Sequence, residues 1–126
     1  MKRLIIDLDE TITLSARDGY ANAVPNLPLI ARLREYRADG FEIVISTSRN
    51  MRSFCGNIGK INAHTLPIVV AWLARHQVPF DEIYVGKPWC GTEGFYVDDK
   101  SIRPSEFMRY SLAEINTLLA AEKAGD

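Results

Sequence analysis

The sequence predicts an α/β domain built on a mostly parallel sheet, and three observations carry that expectation. The chain has 126 residues, which at about 100 to 200 residues per domain leaves room for one domain and none for a large cap or lid. Short apolar runs alternate with amphipathic stretches in the order strand, helix, strand, helix, strand, strand, helix. That alternation is typical of a parallel sheet with crossover helices. Hydrophobic residues make up 47% and charged residues 25%, a globular balance rather than that of a disordered, collagen-like or disulfide-rich chain. A single domain over 1–126 is expected.

Leu4, Ile5, Ile6 and Leu8 form an apolar run broken by Asp7 and closed by Asp9 and Glu10. This predicts a buried strand over about 3 to 8. The stretch from Leu14 to Pro28 has no clear period and reads as a long surface loop. Leu29, Ile30, Leu33 and Tyr36 recur at helical spacing, and Asp39 and Gly40 supply a stop, so a helix is expected over about 28 to 38. A second strand over Glu42, Ile43, Val44 and Ile45 runs into Ser46, Thr47, Ser48, Arg49 and Asn50.

Residues 51 to 64 are mixed and suggest no element. Thr65 is placed to cap a helix over about 66 to 76, in which Pro67 sits in the first turn and Val69, Trp72, Leu73 and His76 mark one apolar face. Ile83, Tyr84 and Val85 predict a third strand leading into Gly86, Lys87 and Pro88. Phe95, Tyr96 and Val97 predict a fourth, ending in Asp98, Asp99 and Lys100. The stretch between these two strands is too short for a crossover helix, so a hairpin or an extended connection is expected. Ser111 and Glu114 form a capping box ahead of a last helix over about 111 to 122.

Lys plus Arg total 15 and Asp plus Glu 16, for a net charge of −1, so no bulk field draws the chain to nucleic acid or to an anionic membrane. Cys55 and Cys90 lack CxxC spacing and ligand-spaced histidines, which disfavours zinc and fits reduced thiols. Met1, Lys2 and Arg3 precede only three apolar residues before Asp7. That is too short for a signal peptide or a membrane span, and a cytoplasmic protein is expected.

In a parallel sheet, ligands bind beyond the carboxyl ends of the strands. All four expected strands end in chemically useful groups: Asp7, Asp9, Glu10 and Thr11; Ser46 and Thr47; Lys87; Asp98 and Asp99. This ordered set resembles the haloacid dehalogenase superfamily of phosphotransferases, whose DxDxT motif, strand-two Ser or Thr, Lys and late acidic motif occur in that order at those strand ends. The runs IIDLDETIT, ISTSRNM, YVGKPW and YVDDKSIRPSEF are similar, within that superfamily, to small cap-less phosphatases associated with capsule or surface-polysaccharide biosynthesis. The resemblance covers essentially the whole chain.

It implies a three-layer, Rossmann-like sandwich without a cap. It also implies a Mg²⁺-dependent phosphomonoester hydrolase that works through an aspartyl-phosphate on a sugar phosphate or surface-polysaccharide precursor. Asp7 would be the nucleophile and Asp9 the general acid and base, a role worth about 10² to 10⁴ in rate. Asp7, the backbone carbonyl of Asp9, and Asp98 or Asp99 would hold the ion, and hard oxygen donors favour Mg²⁺ over zinc. Thr47, Ser48 and Lys87 would bind the phosphoryl oxygens. Ser46 and Thr47 both align as the strand-two hydroxyl, and Thr47 fits the TxR pattern with Arg49. Arg49, Arg17 and Arg52 could face the rest of an anionic substrate.

One geometric demand follows from the residues themselves. Asp9 lies two positions after Asp7, so the chain must leave regular strand geometry for both side chains to act on one substrate, with Thr11 helping to hold the turn. Trp72 and His76 read as core, while Trp89, near Lys87, is placed where it could line the entrance. A phosphotransferase or mutase would use the same chemistry. A receiver-type phosphorylation switch needs its Asp at the end of a middle strand, where this chain has Ser46, Thr47 and Ser48. An idle phosphate-binding module would not need every acidic and basic role.

Overall fold

Residues 1–124 are described here by a computed structural model. The apolar runs fold into strands β1 (Arg3–Ile6), β2 (Thr13–Ser15), β3 (Val24–Pro25), β4 (Glu42–Ser46) and β5 (Glu82–Tyr84). The helices are α1 (Leu27–Ala38), α2 (Ile58–Lys60), α3 (Leu66–Arg75), α4 (Pro104–Arg109) and α5 (Leu112–Ala124). The chain divides into two compact units, Met1–Trp89 and Cys90–Asp126. Among the described residues no helix is long and apolar enough to cross a membrane.

The first unit is a mixed α/β body around a three-stranded parallel sheet in the order β1-β4-β5. β4 lies between two neighbours, and its Ile43, Val44 and Ile45 are all buried. This is the continuous apolar pattern of a central parallel strand. α1 packs on β4 and buries Leu29, Ile30, Leu33 and Tyr36, each side chain contributing about 1.5–3 kcal/mol by leaving water. At the amino ends of the strands, Arg3 donates to Glu42 at 3.2 Å and to Glu82 at 3.1 Å, linking all three strands. The hydrogen bond from Arg3 to Glu82, and then the charge of Glu82, raise the pKa of the guanidinium. Gly40, at φ 93, takes the left-handed conformation that lets the chain leave α1 and turn into β4.

Several expectations shift. The first strand ends at Ile6 rather than at residue 8, because the chain coils at once around the Leu8 carbonyl. That oxygen accepts from the amides of Thr11, Ile12 and Thr13 at 3.3, 2.9 and 3.0 Å. The expected loop from 14 to 28 contains a small antiparallel ribbon of β2 and β3, with a short 3-10 turn over Tyr20–Asn22. Strands of three and two residues are too short to display alternation in sequence.

The helix expected from residue 66 begins upstream. Asn57, not Thr65, caps it, its side chain accepting from the Lys60 amide at 3.1 Å. A wide turn over Ile61–Thr65 then joins α2 to α3. Widening just ahead of Pro67 removes the clash and the missing hydrogen bond that a proline would impose on a regular helix interior. The Thr65 hydroxyl instead donates to Asn50 at 2.7 Å, tying the loop after β4 to the start of α3.

In the second unit, Phe95, Tyr96 and Val97 form no strand, and Phe95 and Val97 are exposed. Strand propensity alone does not make a strand without a ladder to join. The unexpected α4 opens with the Glu106 side chain accepting from the Arg103 amide at 2.7 Å. α5 opens with the expected box, the Ser111 hydroxyl accepting from the Glu114 amide at 3.2 Å and the Glu114 carboxylate accepting from the Ser111 amide at 2.9 Å.

Candidate active site

The turn around Leu8 decides where the first two acids point. Leu8 is buried and anchors the turn, and Glu10 takes a left-handed conformation at φ 62. Asp7 and Asp9 therefore lie beyond the regular strand and are not related as residues two apart in one. The Thr11 hydroxyl donates to Asp7 Oδ2 at 3.2 Å, closing the turn as expected.

β4 and β5 bring in the remaining groups. Past the end of β4, the Thr47 amide donates to the Tyr84 carbonyl at 2.9 Å, and the Thr47 carbonyl accepts from the Lys87 amide at 3.1 Å. These two bonds extend the β4–β5 pairing beyond the strands and set Lys87 beside Thr47. The chain reaches that position through Gly86, at φ 84, where an added Cβ would lie 2.5 Å from Ile58 Cδ1. Lys87 Nζ then reaches Asp7 Oδ1 at 3.4 Å.

The Thr47 hydroxyl accepts from the Arg49 amide at 3.0 Å. Arg49 turns its guanidinium onto Asp9, with Nε to Oδ2 at 3.1 Å and Nη2 to Oδ1 at 2.7 Å. The Tyr20 ring lies on the guanidinium, 4.1 Å from Cζ to the ring centroid. A weaker contact from the Thr13 hydroxyl reaches Asp9 Oδ1 at 3.5 Å.

Residues 7 to 13, 47 to 49 and 87 thus form one hydrogen-bonded cluster at the carboxyl ends of three parallel strands. Asp7, Asp9, Ser48 and Lys87 keep part of their surface in solvent, whereas Thr47 is buried. The backbone amide of Thr47 is committed to Tyr84, while that of Ser48 meets no acceptor among the described residues. Ser46, the other candidate hydroxyl, lines a hollow of about 360 Å³ together with Val44, Tyr84 and Lys87.

The arginines also differ from the sequence reading. Arg49 is no surface residue facing a substrate: its side chain is 2% exposed and engaged by Asp9. Arg17 is exposed near the ribbon, and Arg52 lies over the Trp89 ring at 5.6 Å. Trp72 is core, as expected, and stacks near His76. Asp98 and Asp99 are exposed in the second unit, where Asp98 Oδ1 accepts from the Lys100 amide at 2.9 Å.

Two supporting residues escaped the sequence reading. Asn26, 5% exposed, caps α1 through Leu29 and donates from Nδ2 to the Thr11 carbonyl at 3.1 Å. The signal was an Asn two residues before a proline at a helix start. Tyr20 left no signal, since its partner lies on a distant strand end.

Among the described residues no three His, Cys, Asp or Glu side chains gather as a metal-binding group. The donors of the first unit nevertheless suit a hard cation. Asp7 is 35% exposed and each of its oxygens has one long contact, leaving lone pairs available. The Asp9 carbonyl accepts no hydrogen bond among the described residues, whereas the Asp9 carboxylate is taken by Arg49. Asp7 through its side chain and Asp9 through its backbone therefore fit Mg²⁺.

The fold and cluster define a small mixed α/β protein with paired acids at the ends of parallel strands. The chain belongs to the same family as an MCSG target protein from Vibrio cholerae of known crystal structure. The two are 59% identical over 97% of this chain and 99% of that one, with a TM-score of 0.95. A chain of the Pnkp1/Rnl/Hen1 complex shares the fold, with a TM-score of 0.52 and 21% identity over 86% of this chain and 34% of that one. No protein-family model and no curated protein matches the chain.

Proposed function

We propose that this protein is a Mg²⁺-dependent phosphomonoester hydrolase of the haloacid dehalogenase type, with a cap-less, three-layer, Rossmann-like fold. Its substrate on this reading is a sugar phosphate or surface-polysaccharide precursor, as the sequence resemblance implies. One observation carries the proposal: a strand-end aspartate, Asp7, is held by Thr11 and Lys87, and a second acid two residues on is turned to a different partner.

The chemistry follows from those positions. An Asp7 oxygen attacks phosphorus in line, and the bond from phosphorus to the ester oxygen breaks as the aspartyl-phosphate forms. The leaving oxygen takes a proton from Asp9 in its acid form, and the alcohol departs. Asp9, now a carboxylate, takes a proton from a water that attacks phosphorus and releases phosphate from Asp7. Lys87 offsets negative charge on Asp7 and on the transferring group. Ser48 N–H, which meets no acceptor among the described residues, donates to a phosphoryl oxygen on this reading. Mg²⁺, held by Asp7 and the Asp9 carbonyl, would neutralise phosphate charge. The further carboxylate expected from Asp98 or Asp99 rests on the sequence and is tested by Asp98→Asn and Asp99→Asn.

Hydrolysis of 4-nitrophenyl phosphate with Mg²⁺ tests the reading. EDTA and Asp7→Asn are each expected to lower the rate by about 10³-fold or more, as loss of a nucleophile or its charge relief should. A rate that survives both overturns the proposal.

A further inference from the structure

Asp9 alone could not hold a proton-transfer geometry. It lies within the turn around the Leu8 carbonyl, sits beside a left-handed Glu10, and among the described residues has one side-chain contact, at 3.5 Å from Thr13, within its own loop. Its firm partner is Arg49, from another strand end. A guanidinium fork fixes the plane of a carboxylate, because both oxygens are bound at once.

The Arg49 guanidinium is committed to Asp9. Among the described residues its Nη1 is buried without a hydrogen-bond partner, and its polar side-chain contacts all go to Asp9. An arginine placed only to satisfy the interior would not leave a buried donor unused. The face of its guanidinium is covered by Tyr20. Tyr20 in turn belongs to a 3-10 turn pinned to α3, since Arg75 donates to the Ala21 carbonyl and Trp72 Nε1 to the Ala23 carbonyl, both at 2.9 Å. The rigid helix therefore backs the ring, the ring backs Arg49, and Arg49 fixes Asp9. The remaining lone pairs of Asp9, whose side chain is 32% exposed, are left for solvent or substrate.

We infer that Arg49, seated under Tyr20, is the positioning residue for proton transfer by Asp9. The inference rests on the phosphohydrolase reading above and deepens it. It separates two kinds of loss. Disturbing Arg49 should spare attack by Asp7 but impair departure of alcohols that need a proton. A nitrophenolate leaves without one.

The test compares kcat/KM on 4-nitrophenyl, phenyl and benzyl phosphate, three esters whose leaving groups are progressively less acidic. This parameter reports steps through formation of the aspartyl-phosphate and excludes its hydrolysis. Arg49→Ala is expected to lose about 10²-fold on benzyl phosphate, as for removal of one acid–base contribution, and less than about threefold on 4-nitrophenyl phosphate. Arg49→Lys, which keeps the charge but cannot fork, and Tyr20→Leu should show the same graded pattern more weakly. They decide the matter if Arg49→Ala does not fold. Equal losses on all three esters, or no loss on benzyl phosphate, overturn the inference while leaving the function intact. If the wild-type protein shows no Asp7-dependent hydrolysis of 4-nitrophenyl phosphate, the underlying reading fails instead.

Discussion

Replacing Asn26 by Ala should cost stability in two separable ways. The side-chain oxygen accepts from the Leu29 amide at 3.3 Å, and the amide nitrogen donates to the Thr11 carbonyl at 3.1 Å. Loss of the helix cap costs about 1 kcal/mol. Loss of the partner of a half-buried carbonyl costs about another 1 kcal/mol. The backbone bond from the Asn26 amide to the Ile12 carbonyl survives, so nothing more is subtracted. The sum, about 2 kcal/mol, corresponds to a fall in Tm of about 6–10 °C for a chain of this size. Asn26→Asp keeps the cap acceptor and loses only the donor, so it should fall about halfway. Urea unfolding followed by tryptophan fluorescence suits the measurement, because buried Trp72 bonds the Ala23 carbonyl, three residues from the substitution. A cost below about 0.5 kcal/mol for Asn26→Ala would refute the reasoning, since either contact alone should exceed it.

Two more substitutions test the scaffold. Gly86→Ala places a side chain at φ 84 and against Ile58; it should cost about 1–2 kcal/mol and, by moving Lys87, reduce phosphohydrolase activity, whereas an unchanged urea midpoint and activity would contradict the role given to this turn. Burial raises the pKa of the Tyr36 phenol, so its neutral form is favoured in the folded state. That stability is intact below the ordinary tyrosine pKa of about 10 and is lost as pH rises through the raised value. Urea midpoints should therefore fall more steeply above about pH 10 in the wild type than in Tyr36→Phe, and parallel profiles would count against it.

Elements with strong local signals were legible in the sequence. The central strand declared itself by three consecutive buried apolar residues, and α5 by a capping box that the structure reproduces. Failures came where long-range pairing decides. β2 and β3 exist because each finds the other, and residues 95 to 97 have strand composition but no strand. At the site, the identities of Asp7, Thr11, Thr47 and Lys87 and their strand-end positions could be read, because a strand end is a local feature. The partners of Arg49 could not. An arginine after a strand is exposed in most sequences, and only the fold shows that this one lies between an aspartate near the start of the chain and a tyrosine from the ribbon.

The two acid–base pairs are built to different tolerances, and the difference matches the tasks proposed for them. Lys87 meets Asp7 by a single contact at 3.4 Å, with 24% and 35% of the two side chains in solvent. An ammonium is a point charge without the fixed fork of a guanidinium, so its pairing with Asp7 tolerates a change of angle and distance better than a forked pair does. Arg49 meets Asp9 by two contacts, the shorter 2.7 Å, from a side chain only 2% exposed and covered by a ring. Breaking that pair would strand a buried cation, a penalty of several kcal/mol. One pair can open while the other stays closed. A nucleophile that must surrender its partner to the group it attacks needs the first arrangement, and an acid–base group that must keep its orientation through two successive proton transfers needs the second.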